Sequence, residues 1–310
     1  MRWLDHRRPI PAPLRGAVIA LGNFDGFHLG HQAVVGEAIR WARSEGRPAI
    51  VATFDPHPVR YFRPDAPPFR LTTLEQRQEL YLAAGAAAML VFHFDADLAG
   101  TSADDFVRHI LLDRLGAHGA VTGEDFTYGK GAAGDVAHLR SFADRLQVRT
   151  VGAVMDGGAP ISSSRIRAAL CDGDPQEAAR LLTRPFAVRG IVEHGDKRGR
   201  TIGYPTANLS MENYLRPRYG IYAVTGRVLA TGETLRGAAN LGIRPQFEPP
   251  KELLEPYFFD FSGDLYGQEI EVAFHHFLRG EARFDSLEAL TQQMERDCTE
   301  ARRLLSAASQ

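Results

Sequence analysis

The stretch of sequence that decides the fold runs from Ala17 to His31 and reads AVIALGNFDGFHLGH. Its first five residues form a short apolar run, which is typical of a strand buried on both faces. The residues that follow are turn formers, and from His31 a helical pattern continues to Glu45 and ends at Gly46. This order of strand, loop and helix predicts the first unit of a parallel α/β sheet.

Strand and helix patterns alternate through the first half of the chain. Apolar runs predict further strands at 49–54, 88–92, 120–122 and 148–154, and capped amphipathic patterns predict helices at 74–84 and 103–115. Alternation of this kind predicts a doubly wound, Rossmann-like α/β domain, in which ligands bind outside the carboxyl ends of the strands. Two short helices are predicted after the last of these strands, at 163–171 and 175–182.

The pattern changes at Pro185 to a two-residue alternation. Antiparallel strands are predicted at 186–193, 221–229, 235–241, 257–261 and 269–278, with glycine and proline between them. They predict a compact β-barrel or sandwich, and a small barrel is the architecture expected here. Apolar residues from Leu287 to Leu305 recur every three or four positions and predict a terminal helix that packs on the barrel. The expected domains are therefore 1–184 and 185–310.

Composition excludes several classes of protein. The 310 residues include 36 Lys and Arg against 38 Asp and Glu, a net charge of −2, with 44% hydrophobic residues, as in a soluble globular protein. The charges balance in both halves, so no nucleic-acid partner is expected. The longest apolar run is too short to span a membrane, and the two cysteines stand far apart. We expect a cytoplasmic protein that is a monomer or a weak homo-oligomer.

Two imidazoles, those of His28 and His31, are predicted at the amino terminus of the first helix. Main-chain donors and the helix dipole favour phosphate there, and the two side chains can counter charge that builds up during attack on an α-phosphate. Gly30 would let a base or ribose approach the backbone. A polar loop without function and a metal-binding pair are the alternatives, although no further histidine or cysteine stands at a ligand spacing.

A second phosphate candidate begins at Ile161, where the sequence ISSSRIR opens a later helix. Hydroxyls, free main-chain amides and guanidinium groups at a helix start suit phosphate oxygens. The candidate residues are Ser162, Ser163, Ser164, Arg165 and Arg167.

A basic, glycine-rich segment in the second half, GDKRGRTIGYPTAN, offers a third phosphate site, and the chain contains no Walker A loop. Main-chain amides of closely spaced glycines can approach phosphates. The candidate contacts are Gly195, Lys197, Gly199, Arg200 and Gly203. The hydroxyl of Thr206 and the amide oxygen of Asn208 are hard ligands suited to Mg²⁺. A simple turn is the alternative explanation of the whole segment.

These strings together resemble the bifunctional riboflavin kinase/FAD synthetases of bacteria, and the resemblance extends from Ala17 to Leu305. It implies that the first domain transfers AMP from ATP to FMN, with His28, His31 and Arg165 at the ATP phosphates. It also implies that the second domain phosphorylates riboflavin. ATP is then the co-substrate, Mg²⁺ the cofactor, and riboflavin, FMN and FAD the other ligands.

The resemblance implies further contacts in the first domain. Its motif residues Gly22, Asn23, Phe24 and Gly30 bind ATP, and Asp125, in the string GEDFTYG, contacts the flavin. From the residues alone, Asn23 and Asp125 are equally well explained as turn formers. Ser164 stands where the family usually has threonine, and this exchange keeps the hydroxyl.

In the second domain the resemblance assigns the Mg²⁺ ligands to Thr206 and Asn208 and the catalytic base to Glu255, with Glu252 as the alternative base. Gln246 replaces a threonine that is usual in the family, and Pro256 follows Glu255 where valine is usual. The family's flavin-covering loop and helix correspond to the segments that hold Arg279, Asp297 and Arg302.

The expected function is phosphorylation of riboflavin to FMN followed by adenylylation of FMN to FAD, with pyrophosphate released. Retention of only one activity is the first alternative, and Gln246 and Pro256 make the kinase the weaker half. An adenylyltransferase for another substrate is less well supported, because the barrel strings have no counterpart there. A flavin-binding regulator is the alternative from a different class.

Overall fold

The structure is a computed structural model that describes residues 3–194, 204–244 and 251–307 of the chain. It divides into two compact units. The first contains Met1–Ala66 and Leu74–Ser162, and the second contains Pro67–Thr73 and Ser163–Gln310. Each unit has its own sheet.

The first unit contains a six-stranded parallel sheet. Its strands are β1 (Leu4–Asp5), β2 (Val18–Leu21), β3 (Ala49–Asp55), β4 (Ala88–His93), β5 (Gly119–Gly123) and β6 (Gln147–Val151). The order across the sheet is β1-β4-β3-β2-β5-β6. This confirms the predicted Rossmann-like arrangement. The short edge strand β1 was not predicted, and β6 ends three residues before the predicted end.

Helices cover the sheet of the first unit. They are α1 (Leu29–Ser44), α2 (Pro58–Phe62), α3 (Leu74–Ala83), α4 (Ala96–Gly100), α5 (Ala103–Asp105) and α6 (Val136–Arg140). Helix α5 continues as a π-helical segment, Phe106–Arg114, and 3-10 turns lie at Ala12–Leu14 and Lys130–Ala132. A small hairpin of β7 (Met155–Asp156) and β8 (Ala159–Pro160) precedes the ISSSRIR string.

Both faces of the parallel sheet are buried, because alternate residues of each strand point to opposite sides. In β2, Ile19 and Leu21 belong to one apolar cluster and Val18 and Ala20 to the other. From β2 the chain adds β3 and β4 on one side, and it then crosses over to add β5 and β6 on the other side of β2, so the strand order reverses between β2 and β5. In folds of this kind, that switch point is where ligands bind, and the loop after β2 carries the histidine motif.

The second unit contains a six-stranded antiparallel sheet. Its strands are β9 (Phe186–Ile191), β10 (Leu209–Ser210), β11 (Gly220–Val228), β12 (Thr234–Arg244), β13 (Lys251–Phe258) and β14 (Glu269–Arg279), in the order β10-β13-β12-β11-β14-β9. An isolated bridge between Glu193 and Asn208 links the chain just beyond β9 to the chain just before β10. The sheet is therefore a nearly closed barrel, as predicted.

The strand predicted at 257–261 is wrong in position. Strand β13 is Lys251–Phe258, and the chain turns immediately afterwards, at Asp260, whose φ of 58° lies in the left-handed region. The charged residues Lys251, Glu252 and Glu255 hid the first part of this strand from an analysis based on apolar alternation.

Among its described residues, the second unit also has the helices α7 (Ser163–Asp172), α8 (Pro175–Leu182) and α9 (Leu287–Ala307). Buried Ala301 and Leu305 of α9 pack against Ala223 and Ala238 on the outside of the barrel. Small side chains at this contact let the helix lie close to the strands. In the described part of the chain, no helix has both the length and the apolar character needed to cross a membrane.

Candidate active sites

The two histidines of the first motif lie together at the start of α1. His28 is the N-cap, and its Nδ1 accepts a hydrogen bond from the main-chain N–H of His31 at 3.4 Å. The two imidazole rings stack with their centroids 3.6 Å apart, and the Phe24 ring meets His31 edge-on at 5.3 Å. The arrangement puts two imidazoles at the positive end of a 16-residue helix.

Gly30 allows close contacts within this motif. A Cβ atom at Gly30 would lie 3.1 Å from Cε1 of His28 and 3.3 Å from the carbonyl oxygen of Ile161. The structure therefore places the main chain of Ile161, next to Ser162, against the start of α1. A side chain at position 30 would therefore crowd the His28 imidazole and this carbonyl.

The loop before His28 has an uncommon backbone. Phe24 and Phe27 have φ angles of 49° and 46°, in the left-handed region that non-glycine residues rarely adopt. A Cβ atom at Gly22 would lie 2.7 Å from the Phe24 ring, so only glycine fits there. Such a backbone persists only where its surroundings hold it in place.

A buried ion pair next to this loop was not predicted. Arg77 of α3 donates a hydrogen bond from Nη2 to Oδ1 of Asp25 at 2.9 Å, and the two side chains are 3% and 2% exposed. Sequence reasoning missed Arg77 because an arginine in an amphipathic helix is usually solvated. The available signal was its spacing of four residues from Tyr81, which places both on one face of α3.

Two further loops of the first unit follow the ends of strands, and one of them holds the predicted residue Asp125. Asp125 is exposed in the loop after β5, and its Oδ1 lies 2.8 Å from the position that a Cβ of Gly123 would occupy. After β3, the peptide bond between Asp55 and Pro56 is cis, and His57 caps α2 by accepting a hydrogen bond from the main-chain N–H of Val59 at 3.1 Å.

The remaining residues of the ISSSRIR string belong to the second unit. Ser163 and Ser164 open α7. Arg165 donates from Nη2 to Oε1 of Glu177 at 2.6 Å, and Arg167 donates from Nε to the carbonyl oxygen of Phe69 at 2.8 Å. Hydrogen bonds from Arg180 and Arg165 hold the pKa of the Glu177 carboxyl below its usual range.

The barrel brings together three candidate residues from strands that are distant in sequence. Asn240 of β12 pairs with Glu255 of β13, and its Nδ2 donates to Oε2 of Glu255 at 3.3 Å. On the other side of β13, Leu209 pairs with Leu254. Continuing that antiparallel register by one residue places Asn208 across from Glu255. Residues directly opposite one another share a face, so Asn208, Glu255 and Asn240 form one row.

Pro256 leaves the hydrogen bonds between β13 and β12 intact. Its carbonyl oxygen accepts a hydrogen bond from the main-chain N–H of Ala207 at 2.9 Å. In an antiparallel strand, the nitrogen and the oxygen of one residue point to the same side, so the missing N–H faces Ala207 and not β12.

The two candidate bases differ in their surroundings. Oε2 of Glu252 accepts a hydrogen bond from Nε of Arg216 at 2.6 Å, and Oε1 accepts one from the Tyr219 hydroxyl. Burial raises the pKa of Glu252, but the hydrogen bonds from Tyr219 and Arg216 outweigh it and lower the pKa below its usual range. Glu252 is thus engaged in an ion pair, whereas Glu255 lies in the row with Asn208 and Asn240.

One predicted Mg²⁺ ligand, Asn208, belongs to this row, and the other is Thr206. Asn208 is buried, and Thr206 is half-buried two residues before it. Within the described ranges, no group of three or more His, Cys, Asp or Glu side chains is placed to hold a metal ion. Hydroxyl and amide oxygens fit Mg²⁺, because this ion keeps several waters and phosphate ligands.

Some of the residues predicted from the sequence lie outside the part of the chain that the structure describes. These are the phosphate candidates Gly195, Lys197, Gly199, Arg200 and Gly203, together with Gln246, and all lie outside the described residues.

The three predicted flavin contacts of the second unit take part in ion pairs. Arg279 of β14 donates from Nη2 to Oδ2 of Asp297 at 2.7 Å and from Nε to both oxygens. Arg302 forms a two-point pair with Asp260, at 2.7 and 3.0 Å, and its guanidinium lies 4.2 Å from the centroid of the Phe259 ring. The first pair ties α9 to the end of β14.

Two family models match successive parts of the chain. The family model for FAD synthetase matches residues 10–165, and the model for riboflavin kinase matches residues 182–305. A bifunctional riboflavin kinase/FMN adenylyltransferase of Listeria monocytogenes is 40% identical over 293 residues, which cover 90% of each chain. The Escherichia coli protein of the same description is 37% identical over 94% of this chain and 93% of its own.

The chain belongs to the family of bifunctional riboflavin kinase/FMN adenylyltransferases. It contains both domains of that family. One solved structure, titled as a macrolide-efflux protein from Streptococcus pneumoniae, matches with a TM-score of 0.84 and 31% identity, over 94% of this chain and 95% of that chain. The family resemblance inferred from the sequence motifs is therefore confirmed along nearly the whole chain.

Proposed function

We propose that the second unit phosphorylates riboflavin with ATP and that FMN is adenylylated at the histidine motif of the first unit. The observation that carries the proposal is that each unit has its own cluster of chemically suited groups. His28 and His31 stack at a helix amino terminus, and Glu255 stands in a row with Asn208 and Asn240. We take residues 1–184 and 185–310 as the two functional domains.

In riboflavin phosphorylation, the 5′-hydroxyl oxygen attacks the γ-phosphorus of ATP. The bond from that phosphorus to the bridging oxygen breaks, and ADP leaves. The Glu255 carboxylate accepts the hydroxyl proton, which a loose phosphoryl-transfer transition state releases late. The hydrogen bond from Asn240 orients this carboxylate. Thr206 and Asn208 would hold Mg²⁺, which neutralises phosphate charge when bound. The glycines and basic residues of 195–203 are proposed to contact phosphates.

In adenylylation, a phosphate oxygen of FMN attacks the α-phosphorus of ATP, and pyrophosphate leaves as the bond to the bridging oxygen breaks. No proton transfer is required, so catalysis is positioning and charge stabilisation. His28, His31, Arg165 and main-chain N–H groups at the start of α1 supply that stabilisation. The residues Gly22, Asn23, Phe24, Gly30, Ser162, Ser163, Ser164, Arg165 and Arg167 are proposed to complete the ATP site.

The flavin contacts are proposed to be Asp125 for FMN, and Arg279, Asp297 and Arg302 for riboflavin. The protein is proposed to act in the cytoplasm as a monomer or weak homo-oligomer, without nucleic-acid or membrane partners. The balanced charge and the two free cysteines, Cys171 and Cys298, support this.

The direct test is incubation of the purified chain with riboflavin, ATP and Mg²⁺, followed by chromatographic separation of the flavins. Formation of FMN and then FAD is the expected result. Conversion of supplied FMN without conversion of riboflavin would mean that only the adenylylation activity is retained. Bound yellow flavin without any ATP turnover would favour the regulatory alternative.

A further inference from the structure

The buried pair of Asp25 and Arg77 joins the loop before His28 to α3, and it has no assigned part in either reaction. We infer that Arg77 is a positioning residue for FMN adenylylation, which holds the loop of residues 22–28 so that His28 and His31 meet the ATP phosphates in the productive geometry. The inference rests on the adenylylation site proposed above.

Arg77 contacts the loop at two points and the adjoining strand at one. Its Nη2 donates to Oδ1 of Asp25 at 2.9 Å, and its Nη1 donates to the hydroxyl of Thr53 in β3 at 3.0 Å and to the carbonyl oxygen of Asn23 at 3.4 Å. The Thr53 hydroxyl itself donates to that Asn23 carbonyl at 2.6 Å. One guanidinium therefore ties the main chain and a side chain of the loop to the sheet.

A second residue of α3, Tyr81, also holds the loop in place. Tyr81, four residues after Arg77, donates from its hydroxyl to the carbonyl oxygen of Phe24 at 3.4 Å. Its ring meets the ring of Phe27 at 5.1 Å between centroids. Phe24 and Phe27 are the two residues with left-handed backbone angles. The buried face of α3 thus packs against the part of the loop that has left-handed backbone angles and stabilises it.

One buried polar atom of the loop indicates that a ligand binds there. The side-chain oxygen of Asn23 is buried and has no hydrogen-bond partner among the residues that the structure describes. A buried polar atom without a partner is costly, and a bound substrate can supply one. The carbonyl of the same residue is the group that Thr53 and Arg77 hold. Arg77 therefore holds both the main chain of Asn23 and the side chain of Asp25, which precede His28 in the loop.

The test uses the kinase activity of the same chain as an internal measure of folding. In the double variant Arg77→Met/Asp25→Leu, apolar residues replace the ion pair, an exchange that often preserves stability. We expect kcat for conversion of FMN to FAD to fall about 30-fold, with the KM for ATP within about threefold, because positioning acts mainly in the transition state. Riboflavin phosphorylation should stay within about twofold of wild type, as expected for an independent site with no residue in common.

Arg77→Lys provides the second variant if the double variant fails to fold. Lysine keeps the charge but lacks the fork that reaches Asp25, Thr53 and Asn23 together, so a fall in kcat of about tenfold is expected. Glu45→Gln is the matched control, because Glu45 accepts a hydrogen bond from Trp41 at the opposite end of α1. This control should retain wild-type adenylylation.

All assays are run at 15 °C and at 30 °C. A fall in kcat that persists at 15 °C supports positioning, and one that disappears on cooling would overturn it in favour of a purely structural pair. Wild-type kcat in either folded variant would also overturn it. A wild-type chain that makes no FAD would overturn the proposed function itself, whereas equally active wild type and variants would overturn only the role of Arg77.

Discussion

The two candidate sites are built from different kinds of structure. The first uses a single local segment, in which β2, a seven-residue loop and the start of α1 follow one another directly, and its histidines are three residues apart. The second uses three strands that are distant in sequence, and Asn208, Glu255 and Asn240 meet only through sheet register. One site depends on a loop and a helix terminus, and the other on strand pairing.

The two sites should therefore be sensitive to different substitutions. The loop of the first site has two non-glycine residues with left-handed backbone angles, so it depends on contacts with α3 to keep its conformation. The second site has a regular backbone, and a shift of one residue in β13 would turn Glu255 to the opposite face. We therefore expect the first site to respond to changes in α3, and the second to respond to changes in its own row.

The largest effect is expected at Glu255. Glu255→Gln removes the proton acceptor and should lower kcat for riboflavin phosphorylation by about 10³-fold, as for the loss of a general base. Conversion of supplied FMN should be unaffected. Glu252→Gln is the control, because Glu252 is held by Arg216 and Tyr219. A larger kinase loss in Glu252→Gln than in Glu255→Gln, with both variants folded, would reverse the assignment.

A smaller loss is expected at the helix terminus. His28→Ala removes the N-cap acceptor and one of the two stacked imidazoles, and should lower FAD formation from FMN about 300-fold, as for the loss of a group that stabilises the transition state. Riboflavin phosphorylation serves as the control and should continue at the wild-type rate. Normal FAD formation by the variant would remove His28 from the mechanism.

The first unit should also be sensitive to acid through His6. Burial lowers the pKa of this side chain from 6.5 to about 4, and its Nδ1 accepts a hydrogen bond from the main-chain N–H of His93 at 3.1 Å. Between these pH values, the unfolded chain binds a proton that the folded chain does not. The free energy of unfolding should therefore fall as pH drops from 6.5 to 4, by at most about 3 kcal/mol.

Thermal unfolding of wild type and His6→Gln at pH 7.5 and pH 5 measures this contribution. The variant should lose less stability on acidification than wild type, since it has no imidazole to protonate. An equal loss in both proteins would assign the acid sensitivity to other groups.

A moderate effect is expected at Asn240. Asn240→Ala removes the hydrogen bond to Glu255 and should lower kinase kcat about tenfold, the size expected for one hydrogen bond to a charged group. Asn240→Gln is the comparison, because its amide is displaced by one methylene. If both variants keep wild-type kcat, the row does not orient the carboxylate.

The smallest effect is expected at Arg302. Its pair with Asp260 is exposed, so Arg302→Gln should change the melting temperature by less than about 2 °C and raise the KM for riboflavin about threefold. The matched variant, Arg279→Gln, breaks the more buried pair with Asp297 and should lower the melting temperature more. An unchanged KM in Arg302→Gln would exclude the proposed flavin contact.

The sequence predicted those parts of the molecule whose signal is local. The parallel sheet, the start of α1 and the His28–His31 pair follow from apolar runs and turn formers within about 30 residues of one another. Strand β13 was misplaced because charged residues fill its first half. The Asn240–Glu255 contact depends on the register of two strands, which no local pattern specifies, and Arg77 depends on the burial of one face of α3.

If one chain carries two chemically independent sites, two variants that each lack one activity should complement each other. The variants His28→Ala and Glu255→Gln are each incubated with riboflavin, ATP and Mg²⁺, alone and mixed, and the flavins are separated by chromatography. Alone, the first variant should stop at FMN and the second should leave riboflavin unchanged. Mixed, they should make FAD, because the FMN released by one variant is the substrate of the other. A mixture of folded variants that makes no FAD, or a single variant that makes FAD as fast as wild type, would show that the chain does not carry two independent sites at these residues.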